Sequence, residues 1–172
     1  FTLNNYQLLF ADKAFWNSLK VTIKFNLIII PLQIVISFIM ALLVNVRVRG
    51  IEYFRTIFYL PFCISLTVAT VIWEMMLNVN NGVANSILGL LGIKSIGFLI
   101  DKRYALLSII LIASWRGCAY WMMFILAGLK SIDTSVYESA KIDGSGFFST
   151  LFRITIPLCK NSLLFVLVAN TT

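Results

Sequence analysis

Long uncharged stretches alternate with short polar ones along this chain. The run from Phe25 to Val46 carries no charge and is bracketed by Lys24 and Arg47. At a helical rise of about 1.5 Å per residue it would extend about 33 Å, enough to cross the hydrocarbon core of a bilayer. A second run extends from Thr56 to Trp73 and ends near Glu74. A third covers Tyr104 to Leu129 and is interrupted only by Arg116, and a fourth begins at Leu158. The pattern predicts spans over about 22–46, 56–77 and 104–129, with a last one, 158–172, cut short. Pro31 falls inside the first span and should kink it. Asn26, Gln33 and Ser37 belong on faces turned toward other helices. Pro61 should fall in the first turn or two of the second span, where proline is best tolerated. Phe1 to Trp16 is polar and aromatic with no clear period. The connector from Asn78 to Arg103 contains GVANSILGLLGI, too short to span, which predicts a short helix in the interface or dipping part-way.

Composition turns this pattern into a fold class. Of 172 residues 60% are hydrophobic and 12% charged, and the mean hydropathy is +0.93. A soluble domain of that composition could not cover itself with polar surface. The chain reads as an all-α integral membrane protein, a polytopic bundle of transmembrane helices. Histidine is absent, which removes the commonest general base and metal ligand. Cys63, Cys118 and Cys159 have no metal or redox spacing and read as small apolar residues, so no metal site is expected. The net charge of +7 is scattered over every polar segment, which suits lipid boundaries better than nucleic acid. With no carboxylate pair, Cys–His pair or metal cluster, an enzyme is disfavoured and no catalytic residue is assigned. No internal repeat or signal peptide is evident. The chain reads as a piece of a longer protein with further spans on both sides.

One polar segment stands apart. Residues 130–157 sit between two strongly apolar runs and include YESAKIDGSGFFSTLFRITIP. Ser135 and Glu138 fit a capping box that opens a helix running to about Ile142, with Asp133 and Thr134 as alternative caps. Val136, Tyr137 and Ala140 would share one face of that helix. Asp143, Gly144 and Ser145 make a turn signal, with glycine able to take positive φ. A second helix should start near Ser145 or Gly146 and carry Phe147, Phe148, Leu151 and Phe152. Pro157 should mark a bend where the next span begins. The unit is then two short helices about a glycine turn, with exposed aromatic rings. An interfacial amphipathic hairpin is the plainer alternative.

This segment resembles the cytoplasmic EAA loop of permease subunits in binding-protein-dependent ATP-driven importers, the type I ABC importers. Glu138, Ser139, Ala140, Gly144, Ile154 and Pro157 carry the resemblance, with Ser139 replacing the usual alanine and Asp133 standing where proline is common. Gly50, Phe54, Arg55 and Pro61, and then Gly82, Asn85, Leu88 and Gly92, are similar to the carbohydrate-uptake branch, the maltose and glycerol-phosphate permeases. The resemblance covers the chain from about Trp16. It implies an extracytoplasmic segment, 1–15, after a missing span, a permease transmembrane domain over 16–172, and a cytoplasmic loop at 130–157 that docks on an ATPase. Tyr137, Glu138, Ser139, Ala140, Asp143, Gly144, Ile154 and Pro157 would couple to it. It further implies a second related permease subunit, two cytoplasmic ATPase subunits, an extracytoplasmic solute-binding protein, and residence in a prokaryotic cell membrane. The chain has no G-x-x-x-x-G-K-[ST] phosphate loop, so ATP would be bound by the partner and no cofactor by this chain. Charge agrees weakly on sidedness. The segments 47–55 and 130–160 hold seven Lys or Arg and the opposite set holds six.

Arg116 is the one charge deep in a span, where charge is costly and faces a cavity or a partner. Three roles stay open for it: a pair with Glu74, hydrogen bonds to carbonyls of a neighbouring helix, or a place on the solute path. Trp115, Tyr120 and Trp121 surround it in sequence. Their faces suit sugar rings, and they are equally ordinary as membrane aromatics. The expected substrate path therefore comprises Arg116, Trp115 and Tyr120. The solute would be a sugar or a related compound; a glycerol phosphate ester, a polyamine or an ion is the alternative.

Overall fold

The computed structural model describes residues 4–46 and 48–171. Arg47, expected to flank the first span, lies outside them, as do positions 1–3 and Thr172. Helix α1 (Asn4–Ala11) leads through Asp12 into α2 (Lys13–Val44). The Asp12 carboxylate accepts from the Ala14 N–H at 2.8 Å and caps α2. The helix therefore starts well before the expected boundary near residue 22, because Lys13, Lys20 and Lys24 are good helix formers that a search for uncharged runs leaves out. Pro31 is accommodated inside α2 without ending it.

A parallel helix, α6 (Ala105–Lys130), packs along α2. Two polar side chains one turn apart on α2 reach its backbone. Gln33 Nε2 donates to Ala113 O at 3.2 Å, and Ser37 Oγ donates to Cys118 O at 3.1 Å. Both bonds connect residues whose numbers rise together, which sets the parallel sense. Small residues allow this approach: Ser37, Ala41 and Ala119 are fully buried, and a Cβ on Gly117 would stand 2.5 Å from Gln33 Nε2. Gln33 and Ser37 thus face a neighbouring helix as expected, while Asn26 is half-buried. Met122, Ile125, Leu126 and Leu129 of α6 continue the core with Val44 of α2 and Val166 of the last helix, α9 (Lys160–Asn170).

The second expected span, 56–77, is not one helix. It is α3 (Ile51–Cys63) and α4 (Leu66–Met76), bent by 92°. Pro61 lies in the last turn of α3 and not in its first, because α3 begins at Ile51, directly after Gly50 at φ +87°. The proline removes one backbone donor near the helix end, and Ser65 Oγ accepts from Val68 N at 3.3 Å to start α4. Arg55 closes the adjoining end of α2, donating from Nε (3.1 Å) and Nη2 (2.8 Å) to Val44 O.

The connector after α4 holds the short helix α5 (Val83–Leu90). Asn85, 5% exposed, fastens it. Its Nδ2 donates to Asn78 O (2.9 Å) and Ile96 O (3.0 Å), and its Oδ1 accepts from Ile96 N (2.8 Å). After α6 come α7 (Thr134–Ile142), α8 (Phe147–Leu158) and α9. Helices α2 and α6 are each long and apolar enough to cross a bilayer. The bent pairs α3–α4 (92°) and α8–α9 (65°) pass the same test when each is taken together.

Candidate functional site

Helices α7 and α8 form the expected two-helix unit at the C-terminal end of α6. Asp133, one of the two alternative caps, starts α7: its Oδ1 accepts from Ser135 N at 2.9 Å. The Ser135–Glu138 capping box does not form, because the helix already begins at Thr134, so Ser135 sits inside the first turn. That N–H holds the Asp133 carboxyl below its usual range. The Glu138 side chain is left exposed and makes no hydrogen bond or ion pair with a described residue.

The turn after α7 has a specific geometry. Gly144 takes φ +71°, Ser145 N donates to Ala140 O (2.9 Å), and Gly144 N donates to Lys141 O (3.1 Å). These two bonds define a Schellman turn, which satisfies the helix-end carbonyls and fixes the angle at which the chain leaves. Ala140 is buried, Val136 and Tyr137 are half-buried, and Ser139, Asp143 and Gly144 are exposed. The inner face of α7 is therefore the one that the spacing predicted.

Helix α8 starts at Phe147, with Gly146 at its N-cap. Phe147, Phe148 and Phe152 are 69%, 71% and 64% exposed, an unusual display for three phenylalanines in one short helix. Its middle, Leu151–Thr155, winds as a π-helical turn, with Ile156 N bonded to Leu151 O. Ile154 is half-buried on the inner side, and Thr155 Oγ1 donates to Thr150 O at 3.3 Å. Pro157 is exposed, and the 65° bend falls at Cys159, two residues beyond it. Nothing in the residue spacing announced the π turn. It lets α8 reorient ahead of a proline that cannot donate.

Arg116 meets a carbonyl of a neighbouring helix. Its Nε donates to Ile64 O at 3.4 Å, at the break between α3 and α4, and its guanidinium carbon lies 5.1 Å from the centre of the Phe62 ring. Tyr120, one turn further along α6, stacks on the same ring, with centroids 4.6 Å apart and planes inclined by 23°. Arg116 and Tyr120 are thus brought together through Phe62, which sequence reasoning had not singled out. Trp115 is not with them. It packs edge-on against Trp73 at 5.7 Å and lines a different, apolar cavity. Consecutive residues on a helix point about 100° apart, and here that turn carries Trp115 to the Trp73 side and Arg116 to the Ile64 side.

The cavity at Arg116 has a volume of about 470 Å³ and includes Glu74, Thr70 and Gly117. Glu74 and Arg116 line it together without forming an ion pair. Among the described residues no group of His, Cys, Asp or Glu could hold a metal. What the arrangement offers is a donor and an acceptor across a small space, with a stacked aromatic pair beside it.

Apolar helices, the two longest running in parallel, a bent pair latched by Arg116, and a short polar two-helix unit at one end make a polytopic helical bundle of membrane type. Residues 33–172 match the family described as "Binding-protein-dependent transport system inner membrane component", and the chain belongs to that family. It is 31% identical over 169 residues to the "Trehalose/maltose transport system permease protein MalF" of Thermococcus litoralis, covering 98% of this chain and 57% of that protein. With the "Lactose transport system permease protein LacF" of Rhizobium radiobacter it shares 36% identity over 166 residues, or 95% of this chain and 55% of the relative. A solved structure of a bacterial ABC transporter that imports the acidic polysaccharide alginate superposes with TM-score 0.92 at 25% identity, over 98% of this chain and 60% of the matched one. The chain thus spans a little over half the length of the relatives it matches.

Proposed function

We propose that this chain is the greater part of the membrane domain of a permease subunit in an ATP-driven importer for a sugar or related solute. The observation that carries the reading is the α7–Gly144–α8 unit. It has a fixed Schellman turn, an unengaged Glu138, and three exposed phenylalanines, and it stands where two parallel spans end. Coupling between a motor and a membrane bundle needs an element with discrete positions. Two short helices fixed by a closed turn can transmit a displacement that a flexible loop would absorb.

In this reading a cytoplasmic ATPase subunit holds Tyr137, Glu138, Ser139, Asp143 and Gly144 from outside the bilayer, buried Ala140 seats α7 on its inner face, and Ile154 and Pro157 join the unit to α9. ATP is bound and hydrolysed by that partner, and no cofactor is held here. A second, homologous permease subunit completes the path, two ATPase subunits drive it, and an extracytoplasmic solute-binding protein delivers the cargo. Arg116 and Tyr120 face the solute and Trp115 does not. Because Glu74 shares the cavity with Arg116, hydroxyl groups find both an acceptor and a donor there, which favours a neutral polyol over a glycerol phosphate ester, a polyamine or a bare ion.

The test is ATPase capture. The permease should co-purify an ATPase subunit in a way that depends on residues 135–157, and cysteine labelling should place Glu138 and Gly144 on the cytoplasmic side. Labelling of both positions from outside the cell would overturn the reading.

A further inference from the structure

Helix α8 does not run evenly into α9. Its wide turn, Leu151–Thr155, ends just before Pro157 and the 65° bend at Cys159. In an α-helix a proline ring collides with the carbonyl four residues earlier, here that of Arg153. A wider turn ahead of Pro157 therefore has a local cause. Such a turn is rare inside a helix and recurs at functional sites.

Three hydroxyl residues spaced five apart hold it: Ser145, Thr150 and Thr155. Thr155 Oγ1 donates to Thr150 O at 3.3 Å, and Thr150 Oγ1 donates to Ser145 Oγ at 3.2 Å. The Ser145 backbone N donates to Ala140 O, 2.9 Å away, inside the Schellman turn. The series therefore ties the end of α7 to the turn that precedes α9. On an α-helix a hydroxyl reaches back three or four residues. The reach of five from Thr155 is the period of the π turn itself. Ser145 and Thr150 are half-buried, and Thr155 is 4% exposed. Packing alone does not call for a hydroxyl at so buried a position, because valine has nearly the same shape and no polar group to satisfy.

Beyond the bend, α9 is pinned to α6. A Cβ built on Gly128 of α6 would stand 3.9 Å from Cys159 Sγ and 2.7 Å from Ser162 Cβ, and it would collide with the Ser162 hydroxyl. No side chain fits between the two helices there. Cys159 is buried at the same place, and Val166, further along α9, is buried in the core. Sliding α9 by one turn would carry Ser162 onto Phe124 or Ile132 in place of a glycine. A helix gripped in this way answers a push by tilting about the contact.

We propose that Thr155 is a positioning residue for coupling: by holding the π turn through the Ser145–Thr150–Thr155 series, it makes the α7–α8 unit and the start of α9 one lever, which tilts α9 about the Gly128–Ser162 contact. This rests on the importer reading above and adds the residue and the joint that carry the displacement. Without the Thr155 hydroxyl the wide turn is free to change its hydrogen-bond register. A displacement of α7 is then absorbed at the turn and does not reach α9.

The assembled transporter, with its ATPase subunits, is placed in lipid vesicles, and Cys63→Ser removes the exposed thiol. Nitroxide labels are attached through Ile109→Cys on α6 and Leu167→Cys on α9, both exposed positions. Pulsed electron spin resonance then measures their separation without nucleotide and after trapping with ATP and vanadate. With Thr155 in place the separation should change by about 2 Å or more on trapping. Thr155→Val should still hydrolyse ATP but lose most of that change, and Thr155→Ser, which keeps a hydroxyl, should retain it. A merely structural role would lower yield and hydrolysis together. Ser145→Ala breaks the other end of the series at a half-buried position and should lose part of the change, which gives the same reading if Thr155→Val does not fold. An undiminished change in Thr155→Val, or in Ser145→Ala where the valine variant does not fold, overturns the proposal. So does a loss in Thr155→Ser as complete as in Thr155→Val. A permease that captures no ATPase subunit would instead refute the importer reading, and the lever with it.

Discussion

Arg116 Nε donates to the main-chain carbonyl of Ile64, 3.4 Å away and 52 residues earlier in the chain. Ile64 follows the last residue of α3, where carbonyls lack helical partners and the dipole is negative. A cation from α6 therefore completes an end that the 92° bend leaves open. Arg55 does the same for α2, at Val44 O. The fold uses two arginines as caps for helices other than their own.

Removing such a cap leaves a carbonyl short of a partner in an apolar setting. Arg116→Leu should lower stability by about 2 kcal/mol, the usual scale for a hydrogen bond to a charged group. Solute uptake should fall further than stability alone explains, because the cavity also loses its donor. Thermal unfolding in detergent and uptake in vesicles check the two effects separately. Arg55→Ala should reproduce the stability loss while leaving solute affinity unchanged.

Asn85 makes three hydrogen bonds from a buried position, and its replacement should unfasten the loop between α4 and α6. Asn85→Ala leaves the Ile96 N–H without its acceptor and should cost about 2–4 kcal/mol. Asn85→Asp should be no better, since a carboxylate would then face the carbonyls of Asn78 and Ile96. Hydrogen exchange at Ile96 is the direct measurement, and protection there should collapse in both variants.

At Gly144 the backbone, and not space, is limiting. No atom lies within 4 Å of a Cβ built there, yet φ is +71°. A substitution should therefore be graded by its tolerance of left-handed backbone. Gly144→Asn should retain most transport, Gly144→Asp somewhat less, and Gly144→Val should uncouple uptake from ATP hydrolysis, with a local cost of about 1–2 kcal/mol. Equal uptake by the Asn and Val variants would contradict this account of the turn.

The cap of α7 carries a pH dependence of definite sign. The Ser135 N–H bound to Asp133 lowers the carboxyl's folded pKa below its unfolded one. The cap's contribution is thus fully present above the ordinary aspartate range and is lost as pH falls through the depressed folded value. Protection of the Ser135 amide, corrected for intrinsic exchange, should be flat across neutral pH and drop only in strong acid. Asp133→Asn keeps an acceptor and should remove that acid transition, whereas Asp133→Ala should lose protection at every pH.

The α7–Gly144–α8 unit was the most legible part of this protein. Gly144 at a turn, Ala140 on the inner face and the aromatic display on α8 follow from local spacing, because caps, turns and helix periodicity involve residues a few positions apart. Arg116 was legible only as an anomaly. Its cost in a span was visible, but its partner Ile64 and the shared ring of Phe62 were not. Sequence adjacency put Trp115 with Arg116 and Tyr120, but it could not show that Trp115 packs on Trp73 while the other two meet at Phe62.

By itself, the sequence determined that the chain lives in a membrane, roughly where its apolar rods lie, and that a glycine-hinged polar element separates two of them. Those conclusions depend on short-range periodicity and on the free energy of moving side chains between water and hydrocarbon. Only the tertiary structure decided that one rod breaks by 92° at Ile64, that an arginine from another rod closes the break, and that Gly128 lies against Ser162 of the last rod. Each of those depends on which distant backbone atom comes within hydrogen-bonding reach, and on the register of one helix against its neighbour, which a uniformly apolar face does not encode in its composition.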